Sequence, residues 1–308
     1  MEKKYILTDD VIDFNSHTLH RIKAVRDFDC VKAGDLGGFI ESEKNLDHDG
    51  AAWVTGDARI FGDAVVSSAA VVSGDAVVSG DARVSGVAVV SGAARVTGDA
   101  WVTGVARIFG DAVVSGAAVV SGDAFVTDSA RVSGAAVVSG AAVVSDSARV
   151  SDSARVSGAA VVSGAARVSG AAVVSGAAVV SGDAVVSDSA RVSGAAVVSD
   201  SARVSGAAVV SGAARVTGVA FVTDSARVSG AAVVSGAADF AVISGFGRVF
   251  RTTTFFRCKD NLVRCQCGCF YGTVDEFRAK VRETHGNSKY AKEYLMIADL
   301  MELHFKED

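Results

Sequence analysis

Side chains that could move protons, bind metal or attack a carbon gather at the two ends of this chain. Its five histidines are His17, His20, His48, His285 and His304. Between Ala51 and Phe240 there is no histidine, lysine, glutamate or cysteine, so aspartate and arginine are the only ionisable types in that stretch. General acid–base catalysis at neutral pH draws most often on histidine. The long middle therefore lacks the usual means for it. The other reactive cluster is "CQCGC", in which Cys265, Cys267 and Cys269 fall on one side of a strand, with Cys258 on its hairpin partner. These four are weak candidates for zinc. Structural zinc sites typically use C-x(2–4)-C knuckles, and the tighter spacing favours thiols packing as small apolar groups under helices. His285 is a candidate extra ligand, but at a helix end it reads better as a partner of the helix dipole. No metal, no cofactor and no catalytic residue is expected.

Glycine patterns and basic residues point to little more chemistry. "LGGF" (Leu36–Phe39) and "GFG" (Gly245–Gly247) are isolated and read as turns, not phosphate loops. Arg248, Arg251, Arg257, Lys259 and Arg264 stand against Asp260 in a Phe-containing hairpin. Such a hairpin could touch nucleic acid, but a solvated face is the preferred reading. Net charge is −5 over 308 residues, which gives no overall basic bias toward nucleic acid. No apolar run is long enough to span a membrane. The opening "MEKKYILTDDVIDF" lacks the apolar core of a signal peptide. A cytoplasmic location with reduced cysteines is expected.

What positions these ends is a repeat. From Val54 to Phe240 an aliphatic or aromatic residue recurs every six positions, 32 times without an insertion. Alanine sits two positions before each; up to Val234, Val, Arg, Trp or Phe stands between and Ser or Thr follows, except at Phe61 and Phe109. The hexad A-x-V-S-G-D alternates over its first four residues, which predicts a short strand with Ala and Val on one side. Its last two residues are turn formers. A helix is disfavoured by two Gly, Ser or Asp positions per hexad. Short strands and corners at a fixed spacing predict a solenoid with rungs about 4.8 Å apart.

The pattern resembles the hexapeptide repeat of left-handed parallel β-helices, with Val54 followed four positions later by Ala58 and the match repeating throughout. The resemblance implies an all-β solenoid with three hexads per coil and about 11 coils. The flanks "LTDDVIDFNSHTLHRIKA…LGGFIESEKNL" and "CGCFYGTVDEFRAKVRETHG…YAKEY" resemble those of uncharacterised bacterial and phage β-helix proteins, some carrying acyltransferase-like names. The expected organisation is an N-terminal cap over 1–49, a β-helix over 50–244 and a small α+β domain over 245–308. In the last of these a hairpin precedes two helices. A capping box at Thr273–Glu276 starts the first, which ends near Gly286. The second starts about Ser288 and carries an apolar stripe of Tyr290, Tyr294, Ile297, Met301 and Phe305.

Residues 18 apart should stack in columns on three faces. Two columns carry arginines, and "DSAR" places an aspartate three residues before several of them, which suggests local ion pairing. The third column is mostly apolar. Val143, Val161, Val179 and Val197, with Ser145, Ser163, Ser181 and Ser199, form an uncharged row. Contiguous exposed apolar surface of this kind usually marks an interface. The expectation is a non-enzymatic scaffold or binding protein that uses this row to meet a second copy or another protein, a host protein in a phage setting included. A hexapeptide-repeat acyltransferase is the first alternative, opposed by the empty repeat. An ice-binding solenoid is the second, opposed by serine where Thr-x-Thr is expected.

Overall fold

Inside each hexad the inward pair never changes character. Alanine and the aliphatic residue that follows it, from Ala52 and Val54 to Ala232 and Val234, are fully buried. The residue between them and the Ser or Thr behind them point outward. In the computed structural model, which describes residues 2–306, this alternation builds a parallel β-solenoid of about 11 turns, with an antiparallel sheet and two helices at its C-terminal end. Each hexad contributes a strand of only two residues, shorter than the four-residue alternation suggests. Small residues suffice for the interior because burying one Val side chain stabilises by roughly 1.5–3 kcal/mol, and every hexad buries one.

The chain divides into two compact units, residues 1–165 and 166–308. In the first, β1 (Tyr5–Phe14) and β2 (His17–Ala24) form an antiparallel hairpin, and β3 (Leu36–Ile40) pairs antiparallel with β2. Its two-residue strands then run from β4 (Trp53–Val54) to β22 (Val161–Val162). Every third strand is a neighbour in the sheet. Trp53 N donates to Ala70 O at 3.0 Å, Thr55 N to Val72 O at 2.9 Å, and the pattern recurs coil after coil.

The first rung is earlier than expected. Phe39 and Ile40 of β3 pair in parallel with Arg59 and Ile60. "LGGF" is thus part of a strand and not a turn. A Cβ at Gly38 would lie 2.7 Å from Ala58 O, and one at Gly37 2.6 Å from Val54 O, so only glycine lets this strand lie on the coil. The hairpin covers the start of the repeat. Leu19, Phe39, Phe61 and Val77 form a buried cluster. This explains the exception at Phe61, whose ring meets Phe14 at 5.8 Å in place of solvent.

In the second unit the strands run from β23 (Arg167–Val168) to β34 (Val233–Val234). Phe240, the last member of the six-residue series, is not in a coil. It opens β35 (Phe240–Phe246), the edge of a four-stranded antiparallel sheet completed by β36 (Arg251–Arg257), β37 (Val263–Cys267) and β38 (Phe270–Thr273). The sheet holds twice the strands of the hairpin expected. It closes the final coil. Arg227 N donates to Thr254 Oγ1 at 3.0 Å, Ser229 Oγ to Gln266 Oε1 at 2.7 Å, and Ala232 bridges Cys258. An uncovered solenoid end would expose unpaired strand edges.

Two helices pack on this sheet: α1 (Val274–His285) and α2 (Lys289–His304). Thr273 caps α1 with a reciprocal capping box to Glu276, Gly286 ends it, and Ser288 caps α2. Tyr294, Ile297, Met301 and Phe305 are buried as the helical stripe predicts, but Tyr290 is exposed because it lies beyond the sheet-facing side. Phe277 fills the centre between Phe255, Phe270 and Tyr294, with ring centroids 5.7–5.9 Å away.

Candidate functional site

The Val/Ser row is built rung by rung. In the first unit Val143 and Val161 are paired neighbours in parallel strands; in the second, Val179 and Val197 are. All four valines, and Ser145, Ser163, Ser181 and Ser199 behind them, are half-buried rather than open. Rungs so closely spaced cover one another's flanks, leaving only the outer methyls in water. Further along the same column in the first unit, Trp53 is buried beneath Phe28 (5.4 Å) and Tyr5 (6.5 Å), and Arg107 sits over the Phe125 ring at 5.5 Å. The row is not free of charge along its edge. Ser145 Oγ donates to Asp146 Oδ2 at 3.5 Å and Ser199 Oγ to Asp200 Oδ2 at 3.4 Å, which sets a carboxylate beside two of the four serines.

Those aspartates do something the DSAR spacing did not indicate. Asp128, Asp146, Asp152, Asp188, Asp200 and Asp224 occupy the corner position where glycine stands elsewhere, with φ between 58° and 59°. Asp is among the few L-residues that take this conformation readily. Their carboxylates reach the backbone of the next coil: Gly164 N donates to Asp146 Oδ2 at 2.9 Å, Gly206 N to Asp188 at 3.1 Å and Gly218 N to Asp200 at 3.1 Å. Among the described residues the expected Asp–Arg ion pair is not seen at Asp128, Asp146, Asp188, Asp200 or Asp224. Arg131 and Arg149 are stacked neighbours, both exposed, and neither is in an ion pair among the described residues. Where an arginine in these columns has a partner, it is an aromatic ring: Arg83 over Trp101 at 5.6 Å, Arg203 over Phe221 at 5.4 Å. The signal for the corner role lay in the sequence, since every DSAR aspartate replaces the hexad's glycine.

The four weak metal candidates are dispersed. Cys265 is buried in the core under α1 and α2, and Cys267 packs against the same core. Cys258 lies against the final coil through Ala232, and Cys269 is exposed beyond the turn at Gly268. Among the described residues no group of three or more His, Cys, Asp or Glu side chains could hold a metal ion. Burial pushes the Cys265 thiol well above its ordinary value. On addition of a thiol reagent to the native protein, Cys30 and Cys269 should react rapidly, and Cys258 and Cys265 only on unfolding. Mass mapping after a short pulse checks this, and early labelling of Cys265 would contradict the packing described.

The histidines are structural neighbours of other groups. His17 Nδ1 lies 3.0 Å from Glu41 Oε1, and its ring lies 4.8 Å from that of Phe61. His17, together with Gly62 N–H, holds the Glu41 carboxyl below its usual range. A histidine held by a carboxylate can take part in proton transfer, yet this one is packed into the N-terminal cap. His48 stacks on Tyr5 at 4.3 Å and His285 on Tyr294 at 5.8 Å.

Comparison with known proteins adds the repeat type. A model of the YdcK β-solenoid repeat matches residues 106–122. A solved chain from Bacillus cereus, an acetyltransferase by provisional assignment, is 11% identical with a TM-score of 0.19, covering 71% of this chain and 92% of that one. No curated protein matches the chain. No helix among the described residues is long and apolar enough to cross a membrane.

Proposed function

We propose that the chain is a non-enzymatic β-solenoid scaffold whose Val/Ser rows are contact surfaces for protein, a second copy of the chain first among them. The observation that carries this reading is the row itself: Val143 and Val161 in one unit, Val179 and Val197 in the other, each half-exposed and in register with its neighbour. One valine per rung offers little area. Regular rungs let small contributions of about 25 cal/mol per Å2 accumulate along a matching partner. The repeat supports the non-enzymatic part of the reading, because its only ionisable types are Asp and Arg and the corner aspartates serve the backbone.

Light scattering on the size-exclusion eluate tests the proposal. Wild type should elute as a dimer or larger species. Val143→Lys/Val161→Lys should elute as a monomer with an unchanged circular dichroism spectrum and melting temperature, because the substituted side chains already point to solvent. Val179→Lys/Val197→Lys asks the same of the second unit. A monomeric wild type, or association unchanged in both double variants, would overturn self-association. Calorimetric binding of acetyl-CoA would overturn the non-enzymatic reading.

A further inference from the structure

The C-terminal sheet and its helices line a half-open pocket of about 340 Å3 that has no part in the Val/Ser rows. Its volume is at the small end of the roughly 300–1,000 Å3 of small-molecule sites. Phe270, Phe277 and Val281 give it an apolar floor, and Arg248, Arg251 and Lys280 stand at its rim. None of the residues that line it is acidic. Lys280 shares its charge with Glu283 at 2.9 Å. Arg248 and Arg251 are exposed and, among the described residues, in no ion pair. Glu293 on α2 is already engaged, accepting from Gly247 N at 3.0 Å and facing Lys289 Nζ at 3.5 Å.

The rim is shaped as well as charged. A Cβ on Gly268 would collide with Arg251 Nη1, so the glycine makes room for the guanidinium over the turn between Cys267 and Cys269. Two guanidinium groups in no ion pair among the described residues, beside the tilted rings of Phe270 and Phe277, form a site with one charge preference. An anion gains from both guanidinium groups, and its apolar body gains from leaving water. A cation is repelled by both guanidinium groups.

We infer that this cavity binds a small amphipathic anion, with a carboxylate or phosphate monoester head on a short alkyl or aromatic body. The head would lie between Arg248 and Arg251 and the body over Phe270 and Phe277. Neither the solenoid rows nor their partner enters this inference.

The test is calorimetric titration of the full chain with octanoate and octyl phosphate, and with octylamine and octanol as the cationic and neutral counterparts. At least one anion should bind more than about tenfold tighter than octylamine, and the stronger of the two identifies the head group. Arg251→Gln should weaken that binding about tenfold at unchanged melting temperature, the loss of one charge-assisted contact. Gly268→Ala should weaken it too, by displacing the same guanidinium. Cys269 lines the cavity, so the bound anion should also slow its alkylation in a Cys30→Ser background. Equal binding of octylamine, binding of neither anion, or full affinity in Arg251→Gln would each overturn the inference.

Discussion

Gly86→Val should be among the most damaging single changes in the repeat, at roughly 2–4 kcal/mol, whereas Gly86→Asp should cost less than about 1 kcal/mol. Gly86 has φ 73°, and a Cβ there would lie 2.7 Å from Gly104 O and 2.8 Å from Gly104 N in the next coil. Valine brings a β-branched side chain into a left-handed corner and offers the crowded N–H nothing. Aspartate occupies six equivalent corners at φ 58–59°. Where Asp146 does so, its carboxylate accepts the next coil's N–H at 2.9 Å, which offsets the conformational cost. Two companion variants separate the terms. Asp146→Gly gives up the hydrogen bond and relieves the backbone, so it should be near neutral. Asp146→Ala keeps the strain and loses the bond, at about 1–2 kcal/mol. Urea and thermal unfolding measure the order, and hydrogen exchange of the neighbouring coils locates it, since each repeat interacts mainly with its neighbours. Valine and aspartate tolerated equally at position 86 would show that the corner geometry is not what limits the choice.

Lys4→Met should stabilise the protein at pH 7, and the gain should shrink as pH rises from 8 toward 10. Lys4 is fully buried, its Nζ 5.4 Å from the Phe28 ring centroid and 3.5 Å from Asp49 O. Burial lowers its pKa from 10.5 to about 8, and the charges of Asp47 and Asp49 only partly oppose that. Below pH 8 folding carries a charged ammonium into a poorly hydrated site, at a cost on the order of 3 kcal/mol. As pH rises through 8 the folded state releases the proton, and by the unfolded value the cost has gone. Methionine has similar length and no charge to bury. The difference between wild type and variant isolates Lys4 from Tyr5, whose hydroxyl is pushed up by burial and Glu43. Melting temperatures of both proteins between pH 6.5 and 10 decide the matter. A gap that stays constant with pH would mean that the ammonium is not under strain.

Much of the solenoid was legible because its code is repetitive. An inward Ala and Val in every hexad, and a corner that admits only Gly or a small polar residue, leave one way to bury the apolar side. The helical caps at Thr273 and Ser288 were legible because a cap is a local contract between a side chain and the next few backbone N–H groups. Phe240 misled because it keeps the six-residue spacing while its strand pairs elsewhere, with Phe256. Periodicity records spacing, not the identity of the neighbour. "LGGF" misled for a related reason: glycine serves a turn and a close backbone approach equally well, and only the position of Ala58 O and Val54 O shows the second.

The columns were legible in outline. Spacing by 18 assigned Val143, Val161, Val179 and Val197 to one face, and the parallel register within each unit agrees. How far each valine is covered, and that Asp146 and Asp200 border the serines, depend on packing that no spacing encodes. The DSAR partner was misjudged because proximity in sequence favoured Arg, whereas the corner turns the carboxylate along the stack toward the next backbone N–H.

Sequence alone therefore determined the repeat, the inward and outward sides, the column order and the scarcity of acid–base groups, since each follows from residue type and a constant period. The tertiary structure alone decided what sits at the ends: a strand laid on the coil at Gly37–Gly38, a buried Lys4, and a basic cavity between Arg251 and Phe277. These arise where distant segments with no shared period meet, and there the outcome rests on shape and desolvation, not on pattern.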